Sequence, residues 1–236
     1  MYIRPSKNFI FPVLQKELSK IKGKIGLDAA SAGMKNRHMF KTDMYIGLDI
    51  DRASLKIGLK KYPDSKTIGL HADVANLDTV TGNSIDIVVS TNTLNYLPSQ
   101  RRLRAIAGLS RITAPEGNFI CELSLSADFN EELKLFSNNF NSVKKIYYRN
   151  IISCLYERFF ERNGHDNLGS HPIAGLLPFR IFSWFLSRFE YLTCSFRSLN
   201  RHALLICKNK KTTNQKQEFD FENLQKVSDR FYSLMN

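Results

Sequence analysis

The sequence predicts an α/β fold, a doubly wound and mostly parallel sheet with helices on both faces, and three observations carry that expectation. Strand-like apolar runs alternate with helix-like segments along most of the chain. The first two runs, Lys24–Asp28 and Met44–Asp49, each end in an aspartate and enclose a turn of small residues, Ala30, Ser31, Ala32 and Gly33. The last two, Tyr191–Arg197 and His202–Lys208, are separated only by Ser198 to Arg201, a connection too short for a crossover and suited to a hairpin, so one antiparallel strand should close the sheet.

Taken in order, Ile10, Leu14, Leu18 and Ile21 recur at helical spacing and predict an amphipathic helix before the first strand. After Met44–Asp49, Arg52–Lys61 reads as a helix stopped by Pro63. Lys66–His71, Ser84–Ser90 and Gly117–Leu123 are the next strands; a brief helix near Leu77 and a longer one, Ser99–Ile112 ahead of Pro115, lie between them. Residues 124–189 break the alternation. There Asp128–Phe140, Val143–Phe160 and Leu176–Phe189 read as helices and Asn163 to Pro172 as a polar loop, so a helical insertion before strand 6 is expected, acting as a lid where substrate specificity would reside. After Lys208 a polar linker leads to a terminal helix from about Glu218, with Leu224, Val227, Phe231 and Leu234 on one stripe. The expected organisation is one domain over residues 1–208 and a linker plus helix over 209–236.

Composition bounds the function classes. With 236 residues, 43% of them apolar, the chain can bury one sizeable core. The formal charge of +12 favours anionic partners such as phosphate, RNA or a membrane surface without specifying a site. Four cysteines without C-x-x-C spacing point to a reducing, cytoplasmic compartment and to no zinc centre. No apolar run is long enough to span a bilayer.

The segment from Ile25 to Asp49 has the form of a nucleotide-binding βαβ start. Small residues let the backbone approach a ligand, and a carboxylate about 20 residues on can accept both hydroxyls of a ribose. Three aspartates, Asp28, Asp49 and Asp73, close successive strands, at the edge where open parallel sheets bind ligands. Any one of them alone would more simply cap a helix or turn.

With these blocks in order, the chain resembles the class I S-adenosylmethionine-dependent methyltransferases of the type-11-like kind, over roughly Phe9 to Lys208. Asp28-Ala-Ala-Ser-Ala-Gly33 resembles the family's acidic residue and glycine-rich loop, and Gly47-Leu-Asp-Ile50 the end of its second strand. His71-Ala-Asp-Val74 is similar to the adenine-binding segment. Ile85 to Pro98, IDIVVSTNTLNYLP, is similar to the fourth-strand motif. The resemblance implies a Rossmann-like, seven-stranded sheet in order 3-2-1-4-5-7-6 with strand 7 antiparallel, and S-adenosylmethionine as cofactor. It assigns Asp28, Ala30, Ser31, Ala32 and Gly33 to the amino-acid end of that cofactor, Asp49 and Ile50 to the ribose side, Asp73 and Val74 to the adenine, and Ser90, Thr91 and Asn92 to the floor beneath the sulfonium. Ala30 and Ala32 stand where the family carries glycines and Met34 stands at the third such place; Asn95-Tyr96 replaces an acidic residue and His.

Methyl transfer from a sulfonium needs a nucleophile held in line and shielded from water; a general base helps when the acceptor is a hydroxyl. Candidates are Tyr96, just beyond the fourth strand, and His165 and His171 flanking the polar loop, each of which is equally read as a packing or surface residue. The expected reaction is methylation, most plausibly at oxygen, of a small-molecule, glycan or lipid-linked acceptor. Two other readings stay open: a non-catalytic binding or scaffolding protein on the same fold, and an RNA methyltransferase using Arg101-Arg102-Arg104 and Lys208-Lys210-Lys211. Residues 172–189 are read as a helix buried between the sheet and the insertion, as a peripheral membrane contact, or as part of an apolar acceptor pocket. The terminal stripe suits core packing or a homodimer.

Overall fold

The first strand, β1 (Gly23–Ala29), sits centrally and pairs in parallel with both β2 (Thr42–Asp49) and β4 (Ile85–Ser90). Its alternating apolar residues explain that place, since Leu27 and Ala29 are fully buried in a computed structural model of the chain that describes residues 1–160, 175–212 and 214–235. β3 (Thr67–His71) lies beside β2, and β5 (Thr113–Ser124) beside β4, both parallel. With β6 (Phe140–Asn150), β7 (Asn200–Lys210), β8 (Gln225–Ser228) and β9 (Phe231–Ser233) the sheet has nine strands in the order β6-β7-β5-β4-β1-β2-β3-β9-β8. The first seven strands therefore follow the order that the resemblance implies, and the α/β class is as expected.

Register aligns the strand ends. Asp28 lies opposite Gly47, Ala29 opposite both Leu48 and Ser90, and Asp49 opposite His71, so one edge of the sheet gathers the carboxyl ends of four strands. The helices α2 (Arg52–Lys61) and α3 (Ser99–Ile112) begin and end where the prolines and caps predict; the Asp51 carboxylate accepts from the Ala53 and Ser54 amides to start α2. β5 starts before Pro115, beside a register shift that accommodates the proline between Ile85 and Ile87. Its Phe119 is fully buried against Phe136 of α4 (Phe129–Asn139), with ring centroids 5.3 Å apart.

Several expected elements differ. The stretch 143–150, read as part of a helix, belongs to strand β6, and Tyr191–Arg197, read as a strand, holds the end of α7 (Arg188–Thr193) and a short 3-10 turn. Val143, Ile146 and Tyr147 fall at helical spacing by coincidence, whereas their β-branched and aromatic side chains favour a strand. The helical insertion, α5 (Ile151–Phe160), α6 (Leu177–Leu186) and α7, consequently follows the sixth strand instead of preceding it. No helix forms near Leu77, where the chain makes turns. The terminal helix is likewise replaced by the antiparallel β8–β9 hairpin, whose β9 pairs in parallel with β3. Leu224 and Phe231 are buried but Val227 is 38% exposed, so the apparent stripe never becomes one face. Backbone pairing decides the outcome: Gly69 N–H donates to the Arg230 carbonyl and Leu234 N–H to that of His71.

The chain divides into two units. One holds Leu18–Leu123, Ala127–Lys144 and Leu205–Asn236, with the central strands and α2 to α4. The other holds Met1–Glu17, Ser124–Ser126 and Lys145–Leu204, with most of α1 (Pro5–Leu18) and all of α5, α6 and α7. Inside this second unit, buried polar contacts accompany an apolar core that includes Phe9, Leu14 and Leu204. Glu157 accepts from Ser6 Oγ and, at 2.8 Å, from Arg149 Nε; the fully buried Glu190 accepts from Ser153 Oγ and the Asn150 amide. Burial pushes the Glu190 carboxyl above its ordinary range, against the lowering effect of the Ser153 hydrogen bond.

Candidate functional site

Leaving β1, the chain turns through three residues with left-handed backbone: Ala30 (φ 56°), Ala32 (φ 46°) and Met34 (φ 57°). Glycine adopts this region without penalty, whereas a Cβ there costs about 1–2 kcal/mol per residue. The loop holds a glycine-type path with no glycine at its three left-handed positions. Two contacts over-determine it: Ser31 N–H donates to the Leu48 carbonyl at 2.9 Å, and Ala32 N–H to Asp49 Oδ2 at 2.7 Å. Met34 is fully buried, and its side chain fills space cleared by two glycines. A Cβ on Gly47 would stand 3.0 Å from Met34 Cγ and Cε; one on Gly58 of α2 would stand 2.6 Å from Met34 Cγ. Bulk at the third loop position is matched by its absence in β2 and α2.

Asp49 is buried, and its other oxygen accepts from the Asp51 amide at 2.8 Å. Each carboxylate oxygen has further acceptor capacity, so two hydroxyls can still be received. Asp28 is buried too, accepting from Tyr45 OH at 2.9 Å and Asn36 Nδ2 at 3.3 Å. Burial raises its carboxyl from 3.8 to about 7; the two donors pull the other way, and the charge of Asp49 adds to the rise. The Tyr45 phenol is pushed up by its own burial and by Asp28.

Asp73 lies beyond β3. One of its oxygens accepts from the Ala75 amide at 2.9 Å and the other pairs with Arg101 from α3. Val74 is buried; Ile50 is 57% exposed. His71, in β3, lies within hydrogen-bond distance of the Ile50 carbonyl and Ser233 Oγ, both 3.1 Å. At the end of β4, Ser90 is buried, Thr91 Oγ1 is near Asn36 Nδ2 at 3.4 Å, and Asn92, with φ 55°, donates its amide to Glu122 at 2.9 Å. Ser31 Oγ and Ser90 Oγ are buried and make no hydrogen bond among the described residues.

The structure thus brings the expected residues of β1, β2, β3 and β4 to one edge. Tyr96 is on the 3-10 turn Leu94–Tyr96 and 78% exposed; His165 and His171 lie outside the described residues. Sequence reasoning missed Asn36, Tyr45 and Glu122 and read Arg101 only as part of a basic cluster, although these four hold the site's carboxylates and loops. Arg101 carried a readable signal, a cation two residues into the helix that follows the fourth-strand motif; the others carried none. Of the basic clusters, Arg102 is buried against Glu132 and Asp128, and Lys210 Nζ donates to Asn83 Oδ1 and to the Arg111 and Thr113 carbonyls.

Residues 27–121, from β1 to β5 and including every strand end described above, match the model of the methyltransferase domain. The chain has the class I methyltransferase fold. Among solved structures this methyltransferase fold is shared with the N-methyltransferase NodS from Bradyrhizobium japonicum WM9 in complex with S-adenosyl-L-homocysteine (13% identity, 86% of this chain and 85% of that chain, TM-score 0.53). It is shared as well with the [4+2]-cyclase SpnF (12%, 86% and 81%, TM-score 0.56). A third is a TehB-like S-adenosylmethionine-dependent methyltransferase from Corynebacterium glutamicum ATCC 13032 Kitasato (13%, 84% and 88%, TM-score 0.51). None of the curated proteins matches the sequence significantly.

Proposed function

We propose that this chain is an S-adenosylmethionine-dependent methyltransferase, and the observation that carries the reading is the loop Ala30–Met34. It keeps three left-handed residues beside the buried Asp49 although none of them is glycine. Strain of that kind persists where the surrounding structure enforces it, and it clusters at ligand clamps. The buried, unpartnered hydroxyls of Ser31 and Ser90 and the spare acceptor capacity of Asp49 fit a polar, hydroxyl-bearing ligand. When bound, the cofactor would supply an electrophilic methyl group on a sulfonium. Around it, Asp49 would accept the ribose hydroxyls, Asp73 and the Val74 amide would meet the adenine, the loop Ala30–Gly33 would approach the amino-acid end, and Ser90 to Asn92 would lie beneath the reacting centre. A cationic ligand would draw the Asp28 carboxyl, raised to about 7 by burial, toward its ionised form.

The acceptor we propose is a small molecule, a glycan or a lipid-linked compound methylated at oxygen. Tyr96, exposed just past β4, is the described residue whose place supports proton removal from a hydroxyl. A second reading, a binding protein on the same fold, is favoured by the Arg101–Asp73 ion pair, which occupies a carboxylate that adenine recognition would use.

Calorimetric titration with S-adenosylmethionine and S-adenosylhomocysteine separates the readings. Binding by the native chain and a loss of at least about tenfold in Asp49→Ala is expected, the magnitude of a charge-assisted hydrogen bond. Absence of binding would replace the enzyme by the binding protein; undiminished affinity in Asp49→Ala with the fold intact would overturn the assignment of Asp49 to the ribose. Transfer of a labelled methyl group to hydroxyl-bearing acceptors tests the reaction itself.

A further inference from the structure

Helix α6 is inverted. Its small polar residue Ser183 and the following Ser187 are buried, at 0% and 1% exposure, while Trp184 (41%) and Phe185 (56%) face outward. The inward placement is fixed by hydrogen bonds: Asn8 Nδ2 donates to Ser183 Oγ at 2.9 Å, and Ser183 Oγ donates to the Tyr2 carbonyl at 3.3 Å. The outward stripe runs Leu177, Ile181, Trp184, Phe185 and, one helix on, Leu192, which is 72% exposed. This outward stripe does not serve as core, contrary to one of the readings its apolar composition allows.

Charge around the stripe has one sign. Among the described residues of this unit the acidic side chains are Glu17, Glu157 and Glu190, and all three are buried. The exposed charges among these described residues are basic, Arg158, Arg180, Arg188 and Arg201 included. The Arg188 guanidinium stacks over the Trp184 ring at 4.1 Å. Aromatic bodies flanked by cations suit the headgroup region of a bilayer, where the rings bury beside the acyl boundary and the guanidinium groups meet lipid phosphates. No helix among the described residues is long and apolar enough to cross a membrane, so the contact would be lateral.

We propose that the α6–α7 face docks on an anionic lipid bilayer. The surface is independent of the methyl-transfer reading; a chain that binds vesicles but no adenosyl cofactor, or the reverse, tells the two apart. Trp184 is the single tryptophan of the chain, so its emission reports on this face directly. Adding vesicles that contain phosphatidylglycerol should shift Trp184 emission to the blue and sediment the protein, with weak response to pure phosphatidylcholine and reversal by salt. Trp184→Ser with Phe185→Ser should lower partitioning at least about tenfold, and Arg180→Ala and Arg188→Ala about fivefold each. Retained circular dichroism shows that the variants fold. The proposal is overturned if sedimentation is absent, if it survives Trp184→Ser with Phe185→Ser, or if the protein is a dimer in solution whose Trp184 is already shielded and does not respond to vesicles.

Discussion

Replacing Asp28 by asparagine should change how stability depends on pH. In the fold the Asp28 carboxyl titrates near about 7, against an ordinary value of 3.8, because the side chain is enclosed at the end of β1, where the hydrogen bonds from Tyr45 and Asn36 offset only part of the desolvation. The folded state therefore holds a proton on Asp28 across the window from about 4 to about 7 that the unfolded chain has released. Stability from this group is complete below about 4 and is lost as pH rises through about 7. A separation of about 3 pH units, at about 1.4 kcal/mol per unit, makes the loss about 4 kcal/mol at most. The amide of the Asp28→Asn variant carries no ionisable proton, so that protein escapes the loss. Urea denaturation of both proteins between about pH 5 and pH 8 should show the native chain falling relative to Asp28→Asn by about 2–3 kcal/mol, the part of the loss that lies above pH 5. Parallel profiles would refute the claim that Asp28 is desolvated and protonated in the fold.

Other perturbations follow from the same geometry. Ala30→Gly and Ala32→Gly remove a Cβ from left-handed backbone, and each should raise stability by about 0.5–1 kcal/mol in denaturant titration, the strain relieved less the extra chain entropy of glycine; a drop would mean that the loop is not held left-handed. Glu190→Gln keeps an acceptor for Ser153 and the Asn150 amide but removes a buried charge, so its thermal midpoint should exceed that of the native chain increasingly as pH rises above the ordinary carboxylate range. An equal difference at all pH values would show that Glu190 titrates normally. Asp49→Ala should lose cofactor affinity without loss of the cooperative unfolding transition, measured by calorimetry beside circular dichroism.

Much of the frame was legible because local chemistry and tertiary context agree there. The ends of α2 and α3 are written by Asp51, Pro63, Pro98 and Pro115, and the strand-end aspartates fall at one sheet edge as alternation requires. Where the readings failed, spacing misled. Val143, Ile146 and Tyr147 repeat like a helix but lie in β6, and Leu224 and Phe231 repeat like a helix although Phe231 stands in β9. Periodicity over so few residues does not distinguish a turn of helix from an edge strand, and the partner strand that decides is remote in sequence. In the candidate site, the residues proposed to face the ligand were readable as a motif, but those packed behind them were not. Asn36, Tyr45 and Glu122 act through distances that only the fold creates, and Met34 is intelligible only beside Gly47 and Gly58. Similarly, composition announced α6 as apolar; which side turns outward depends on Asn8, far away in the chain.

The pairing of β9 with β3 has a consequence for solution behaviour. Without the β8–β9 hairpin, Thr67–His71 would be a free strand edge, with unpaired donors and acceptors flanked by buried Ile68 and Leu70. Such an edge is a template for strands of other molecules and a common start for aggregation. Arg230 secures the covering strand, its guanidinium donating to the Tyr62 and Asp64 carbonyls at 2.9 and 2.8 Å. A few residues late in the chain thereby act as a guard on the sheet, and their loss would be felt first as insolubility rather than as lost catalysis.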